Sequence, residues 1–380
     1  MQNAASTYPR STNSLADFIA PRCEDSDSRW ASKQLSGKRV LITGAGGSIG
    51  SALARAVWAA APASLILLDT SENGLYQVDR SLHEAGSHRH IAFLSSISNQ
   101  PAISHLLEKH QPQIIFHAAA LKHVPLMEQN PFAAIENNAL GTLALTQAAI
   151  SHGVEQFVLV STDKAVDPLS IMGASKRIGE LILLTLDSGD THMTAVRLCN
   201  VIGSQGSVLP LFLDQIARGG PLTVTHRDAH RYFITLDRAI EALFDALQSR
   251  SSPAVLIPGP VASVRILDLA QHLLLAQAST AAIEFTGLRP GDKLTECLLS
   301  SRECLVSRST LDSSILRAIK SPASCASTLY TALSDLREAT QKHNLRQLIR
   351  AVRVLVPEYQ PSAHIDASLI DLEASPEVLV

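Results

Sequence analysis

A chain of 380 residues, 46% hydrophobic and 18% charged, is long enough to bury a large core and to divide into two or more structural units. A formal net charge of -3 excludes a global field that would attract nucleic acid, and aromatics at 4% are too few for a base-stacking platform. The five cysteines (Cys23, Cys199, Cys297, Cys304, Cys325) are scattered without a CxxC pair, which argues against a zinc knuckle or disulfide framework and suits a reducing compartment.

Residues 1–36 read as a partly disordered leader with one short helical piece around Leu15 to Ile19 and no signal peptide. The most apolar stretch, Ala52 to Leu68, is interrupted by Arg55 and Pro62, so it predicts helix, turn and buried strand and no membrane segment. A cytoplasmic protein is expected.

Short apolar runs then alternate with helix-length segments. Strands are predicted at Val40–Ile42, Leu65–Leu68, Ile91–Leu94, Ile114–Phe116, Phe157–Val160 and Thr194–Leu198. Helices are predicted at Ser48–Ala60, Ile103–His110, Pro131–His152 and Ser170–Leu186. Strands this short and apolar are covered on both faces, which gives an α/β fold, a Rossmann-type doubly wound parallel sheet. Past Leu198 the rhythm changes to helix Leu209–Arg218, strand Leu222–Thr225, helix Asp237–Gln248, strand Val255–Ile257 and helix Leu267–Ala276, the pattern of a smaller mixed α/β substrate-binding lobe. The last fifty residues read as two helices and a polar tail. The expected organisation is a nucleotide-binding unit at 37–200, the lobe at 201–330 with some elements returning to the core, and 331–380 at the C-terminus.

The strand at Val40–Ile42 runs into Gly44-Ala-Gly-Gly47-Ser48-Ile49-Gly50 and a helix. Glycines there allow a tight turn and close approach of a pyrophosphate to the helix N-terminus. Asp69 ends the second strand, where a carboxylate accepts hydrogen bonds from the adenosine ribose. Asp69 alone also suits a cap for the helix after Ser71, but with the glycines it points to a dinucleotide. NAD is expected over NADP, because no Arg follows Asp69.

Strand Phe157–Val160 leads into Ser161-Thr162-Asp163-Lys164, followed by Met172-Gly-Ala-Ser-Lys176. Taken singly, Asp163 and Lys164 make an ordinary loop ion pair and Met172 a core residue. As an ordered set at the carboxyl end of one parallel strand they point to acid–base chemistry on one ligand. Met172 and Lys176 share a helix face. His226 and His230 have metal-ligand spacing only if helical and lack a third ligand, so no metal is expected.

These residues resemble the Tyr-x-x-x-Lys signature of short-chain dehydrogenases with Met172 in the tyrosine position. The run Ser161 to Pro168 with Met172 to Lys176 is similar to the UDP-N-acetylglucosamine 4,6-dehydratases of bacterial polysaccharide biosynthesis, in their Met-containing branch. Phe116–Glu128, Asn137-Asn138 with Gly141-Thr142, Arg197–Pro210 and Gly287–Leu294 resemble further motifs of the group, and the likeness spans roughly residues 14 to 360. Members often carry an amino-terminal membrane region, and the chain is expected to hold only the soluble part.

The resemblance implies a redox-neutral reaction on a UDP-sugar. Hydride leaves C4 for NAD, a base removes the C5 proton, the C6 hydroxyl departs as water, and hydride returns to C6. It implies Lys164 as the base, Asp163 as the acid, Thr162 as an orienting hydroxyl, and Lys176 beside the nicotinamide ribose, depressing nearby pKa values by its charge. Lys164 must then be neutral, through burial or a nearby cation such as Lys176, and Asp163 protonated. Met172 transfers no proton, which leaves the group that deprotonates the C4 hydroxyl open. Gly44, Gly46, Gly47, Ser48, Ile49, Gly50, Asp69, Ala118 and Lys176 would hold the cofactor, and Lys122, Asn200, Arg231 and Arg289 the substrate. Ser96, Gln205 and Thr295 depart from the group's pattern at the adenine and sugar sides. C5 inversion, C4 epimerisation and a non-catalytic NAD-sensing scaffold are the competing readings. Relatives commonly associate, so a homo-oligomer is expected.

Overall fold

The computed structural model describes residues 33–249, 253–259, 261–306, 316–320 and 325–374. The predicted leader, with its piece at Leu15–Ile19, lies outside the described residues up to position 32, as does the end of the polar tail.

Period-two alternation with both sets apolar sets the architecture. In β1 (Arg39–Thr43), Val40 and Ile42 enter one core and Leu41 the other; in β2 (Ser64–Asp69), Leu65 and Leu67 part from Ile66 and Leu68 in the same way. Such strands can be covered only by helices on both faces. With β3 (His90–Leu94), β4 (Ile114–His117), β5 (Gln156–Thr162), β6 (His192–Leu198) and β10 (Ala254–Pro258) they form a parallel sheet ordered β10-β6-β5-β4-β1-β2-β3. Two antiparallel strands, β14 (Leu316–Lys320) and β13 (Cys304–Val306), extend it beyond β10. The doubly wound expectation holds. Helices Ser48–Ala59, Glu72–Glu84 and Leu236–Ala246 pack on one face, and Gln100–His110, Thr142–Ser151 and Ile171–Thr185 on the other.

Two expected elements differ. The predicted helix Pro131–His152 is interrupted: Pro131–Ile135 is α-helical, Glu136–Gly141 is a π turn, and the α-helix resumes at Thr142. The widened turn includes the buried Asn138, whose amide is used in the site below. The C-terminal region holds three helices, Ala326–Gln341, Leu345–Leu355 and Ala363–Ala374. The third forms because Ile365 and Leu369, one turn apart, both pack on the core.

Directly after β6 the chain leaves the main sheet at β7 (Asn200–Val201), which pairs with β9 (His230–Ile234) and through it with β11 (Ala262–Arg265). β8 (Leu222–Val224) pairs with β12 (Ile283–Phe285). Helices Val208–Ala217 and Ile266–Ala276 close a separate small core around Phe212, Leu222 and Leu269. This lobe stands at the carboxyl ends of the parallel strands. Because His230 opens a strand, it and His226 do not share a helix face.

Candidate active site

The sheet order reverses between β1 and β4, and the crevice there opens at the carboxyl ends of the strands. Its floor is the glycine turn. Gly44 has φ of 68°, and a Cβ on it would lie 2.6 Å from the backbone N of Ala119. A Cβ on Gly46 would lie 2.7 Å from the backbone of Gly74, and one on Gly50 only 2.0 Å from the carbonyl of Gly44. Only glycine permits this packing. Asp69 ties the turn from below, its Oδ2 accepting from Gly46 N and its Oδ1 from Ser71 N, each at 2.8 Å. Asp69 thus braces the turn and the residue that caps the next helix, Ser71. The helix Ser48–Ala59 begins at Gly47 with no side-chain cap and no acidic residue in its first turn. Gly47, Ser48, Ile49 and Gly50 thus present a helix N-terminus suited to an anion, and the glycines keep the approach clear. The residues fit a dinucleotide diphosphate.

A buried relay supports the crevice wall. Thr142 Oγ1 donates to the Asn138 carbonyl at 2.7 Å, so at 2.9 Å it accepts from His117 Nε2–H, which leaves His117 Nδ1 to accept from Thr43 Oγ1 at 2.7 Å. Burial, helped by the charge of Lys176, lowers the His117 pKa to about 3, so the ring is neutral. The Asn138 amide grips Leu121 from both sides, accepting from its N at 2.8 Å and donating to its carbonyl at 2.9 Å. It also donates to Ser175 Oγ at 3.0 Å, which in turn donates to the Met172 carbonyl. One side chain therefore fixes the segment after β4, with Ala118 and Lys122, against the helix carrying Met172 and Lys176.

At the end of β5 the ordered set is brought together. Thr162 Oγ1 donates to Asp163 Oδ1 at 3.0 Å, and Lys164 Nζ donates to the same oxygen at 3.0 Å and to Asn200 Oδ1 at 3.2 Å. Asp163 is fully buried, and its Oδ2 has no hydrogen-bond partner among the described residues. The next helix comes so close that a Cβ on Gly173 would lie 2.3 Å from the Lys164 carbonyl. Met172 is buried at that helix start, and Lys176 lies one turn on. Burial, only partly offset by Glu180, lowers Lys176 to about 8.

The surroundings of Lys164 differ from expectation. Burial lowers its pKa, but Asp163 and Glu296, whose Oε1 is 3.6 Å from Nζ, outweigh burial and move it upward. The cation that opposes them is Arg231, and Lys176 is not among the causes. As folded, Lys164 is the charged member of an ion pair. Cys199, the neighbour of Asn200, is a thiol: burial raises its pKa and the Asp163 charge adds to this.

Below the site, Glu180 accepts from Ser161 Oγ at 2.7 Å and from Arg177, and is clasped by Arg197 through Nε at 2.8 Å and Nη2 at 2.7 Å. Arg197 also pairs with Glu303 at 2.7 and 2.8 Å. Burial alone would raise Glu180; the two arginines and Ser161 overcome it and hold the carboxyl at about 2. This network locks β5, β6 and the Met172 helix where the acid–base set is displayed.

The lobe residues are brought to the rim in different states. Arg231 donates to the carbonyls of His230, Lys293 and Leu294, which holds the 293–296 loop in place. Arg289 is 58% exposed and bonds its own loop through Asp292 at 2.8 Å. Lys122 donates to the Gln205 carbonyl, and Gln205 N donates to Ser48 Oγ at 2.9 Å, so the 203–207 loop rests on the glycine turn. Thr295 bridges to His230. Ser96 Oγ accepts from Ser98 N at 3.1 Å within its own loop. His117, Glu180, Glu296 and Glu303 escaped sequence reasoning. A buried glutamate in Thr295-Glu296-Cys297 has no local signal, whereas His117 and Asn138 lie inside motifs already recognised.

Residues 40–318 match the polysaccharide biosynthesis protein family. The chain is 41% identical over 294 residues to the probable polysaccharide biosynthesis protein EpsC of Bacillus subtilis, covering 76% of this chain and 49% of that one, so it spans about half that relative's length. It is 33% identical over 277 residues to a UDP-glucose 4-epimerase of Rickettsia typhi, covering 70% and 79% of the two chains. Among solved structures, DesIV of Streptomyces venezuelae, a dTDP-glucose 4,6-dehydratase crystallised with NAD, superposes with a TM-score of 0.62 at 23% identity over 68% of this chain and 88% of that one. Among the described residues no helix is long and apolar enough to cross a membrane. The chain belongs to the polysaccharide biosynthesis protein family, with the fold of the nucleotide-sugar epimerases and dehydratases.

Proposed function

We propose that the chain is an NAD-dependent UDP-N-acetylglucosamine 4,6-dehydratase, with residues 201–330 as the lobe that takes the sugar nucleotide. The observation that carries this reading is the Asp163–Lys164 hydrogen bond of 3.0 Å at the end of β5. Hydride transfer at C4 alone needs no second acid–base pair, whereas elimination of water across C5 and C6 needs both a base and an acid.

The pair also supplies a route to the required protonation states. Moving one proton across the Lys164–Asp163 bond converts the ion pair into a neutral amine and a carboxylic acid without changing net charge. Desolvation favours the neutral form, so a hexose that expels water from the crevice shifts the pair toward base plus acid. Lys164 then takes the C5 proton and Asp163 protonates the departing C6 oxygen. Thr162 orients Asp163, and Asn200 aims Lys164. When bound, NAD would accept hydride from C4 and return it at C6. Lys176 would hold the nicotinamide ribose, Gly44, Gly46 and Gly50 would admit the diphosphate, and Asp69 would meet the adenosine ribose through its remaining lone pairs. Arg231 and Arg289 would face the substrate diphosphate and Lys122 the hexose; Arg231 keeps donors beyond the three it spends on carbonyls.

The Rickettsia relative, a UDP-glucose 4-epimerase, supports a second reading, C4 epimerisation. Incubation with UDP-N-acetylglucosamine and mass spectrometry separates the two: the dehydratase gives a product lighter by one water. A converted product of unchanged mass would overturn dehydration.

A further inference from the structure

On the far side of the molecule from the crevice, the helix Glu72–Glu84 ends near the start of β3, the outer strand of the parallel sheet. Asp79 and His83 lie one helical turn apart and share a face. The chain then turns at once: Gly86 has φ of 81°, Gly86 N donates to the His83 carbonyl and Ser87 N to the Leu82 carbonyl, each at 2.9 Å. That turn returns His90 to the same point. One ligand atom from each of Asp79, His83 and His90 falls within 4.8 Å of the others.

We propose that Asp79, His83 and His90 form a binding site for a zinc-type divalent transition ion. Ligand atoms 2.0–2.1 Å from a tetrahedral zinc lie roughly 3.3 Å apart. Asp79 Oδ1 lies 3.0 Å from His90 Nε2 and 3.9 Å from His83 Nε2, values that bracket this spacing. His90 is oriented as a ligand histidine is. Its side chain is 1% exposed, and its other nitrogen, Nδ1, lies 2.7 Å from the hydroxyl of the buried Ser87, which leaves Nε2 directed at the carboxylate. His83 lies at the surface with 55% of its side chain exposed, so an ion has a path in and room for a water as fourth ligand. The imidazole of His88 stands 6.4 Å from that of His83, a second source for that position. Two imidazoles and one carboxylate select zinc, cobalt or nickel over magnesium, which demands oxygen ligands. An ion here would clamp the end of the helix whose beginning, at Ser71 and Gly74, supports the glycine turn. It is a structural site, independent of the proposed reaction.

The experiment is a zinc titration of the tag-free, chelator-stripped chain against a chromogenic chelator, with Co2+ absorption and thermal unfolding in parallel. The expected result is one zinc per chain, visible bands typical of four-coordinate cobalt, and a rise in Tm of about 2 °C or more with zinc but none with magnesium. His83→Ala, at an exposed position that leaves the fold intact, weakens zinc binding at least tenfold, whereas His105→Ala on a different surface helix leaves it unchanged. Equal zinc binding by the parent and the His83→Ala chain, or no zinc retained at equimolar concentration, overturns the site and leaves a hydrogen-bonded Ser87–His90–Asp79 chain in its place.

Discussion

The proposed cofactor and substrate halves of the crevice are built on opposite principles. The cofactor half is assembled from neighbours in sequence and works by leaving things out: Gly44, Gly46 and Gly50 lack the atoms that would collide, and the helix at Ser48 lacks a cap. Its polar groups, Thr43, His117 and Thr142, are neutral and paired in one direction. The substrate half draws on residues 162–164, 200, 231 and 293–296 and is crowded with charge. There Asp163 and Glu296 each keep a buried oxygen with no hydrogen bond among the described residues. A diphosphate needs a fixed cradle; a proton transfer needs groups that are not yet satisfied.

Single substitutions break the two halves separately. Lys164→Ala should lower turnover of UDP-N-acetylglucosamine by roughly 10³-fold, read by product mass, while the dinucleotide stays bound. Retained turnover refutes the base assignment. Gly50→Ala should do the reverse, because its Cβ falls 2.0 Å from the Gly44 carbonyl. Dinucleotide affinity should drop about 100-fold or more by calorimetry while UDP binding persists; an unchanged affinity would mean that the diphosphate sits elsewhere.

Beneath both halves, Glu180→Gln should cost about 3 kcal/mol at pH 7, measured by denaturant unfolding. The Glu180 carboxyl falls from an ordinary value near 4.5 to about 2 on folding, so its stabilisation is complete above pH ~4.5 and is lost as pH falls toward 2. The deficit of the variant should therefore shrink over that window. A deficit that stays constant with pH would place the effect in packing.

Glu296→Gln removes one of the two carboxylates that raise Lys164. In the proposed mechanism the pair must keep one proton between Lys164 and Asp163, and activity falls when Lys164 loses it to water. The falling limb of the kcat–pH profile should therefore move to lower pH in this variant, and a shift the other way would contradict the assignment. The smallest effect is expected for Met172→Leu, a near-conservation of volume at a buried position, which should change kcat less than about tenfold. A larger loss would give the thioether a chemical part in the reaction.

The halves also differed in how far the sequence revealed them. The glycine turn was legible because its signal is local: strand, glycines and helix follow one another, and Asp69 ends the adjacent strand. The order Thr162, Asp163, Lys164 was equally plain, but the electrostatics of Lys164 were not. They depend on Glu296 and Arg231, which reach the site only because β7 carries the chain from the main sheet into the lobe. Asn138 was inside a recognised motif, yet the π turn containing it was invisible, since a periodic apolar pattern does not register one extra residue in a helix. Arg231 was expected to hold the substrate and also spends donors on loop carbonyls, a use that becomes apparent only once the 293–294 backbone is folded against it.

The 203–207 loop spans the boundary between the halves. It is pinned by Gln205 N to Ser48 and by Lys122 to the Gln205 carbonyl, directly over the helix start. If the dinucleotide sits beneath that bar, as proposed, these two hydrogen bonds would have to open before it left. Long residence is a handicap for an oxidoreductase that must swap its spent coenzyme every cycle, and none for a catalyst that regenerates its own oxidant before letting the sugar go.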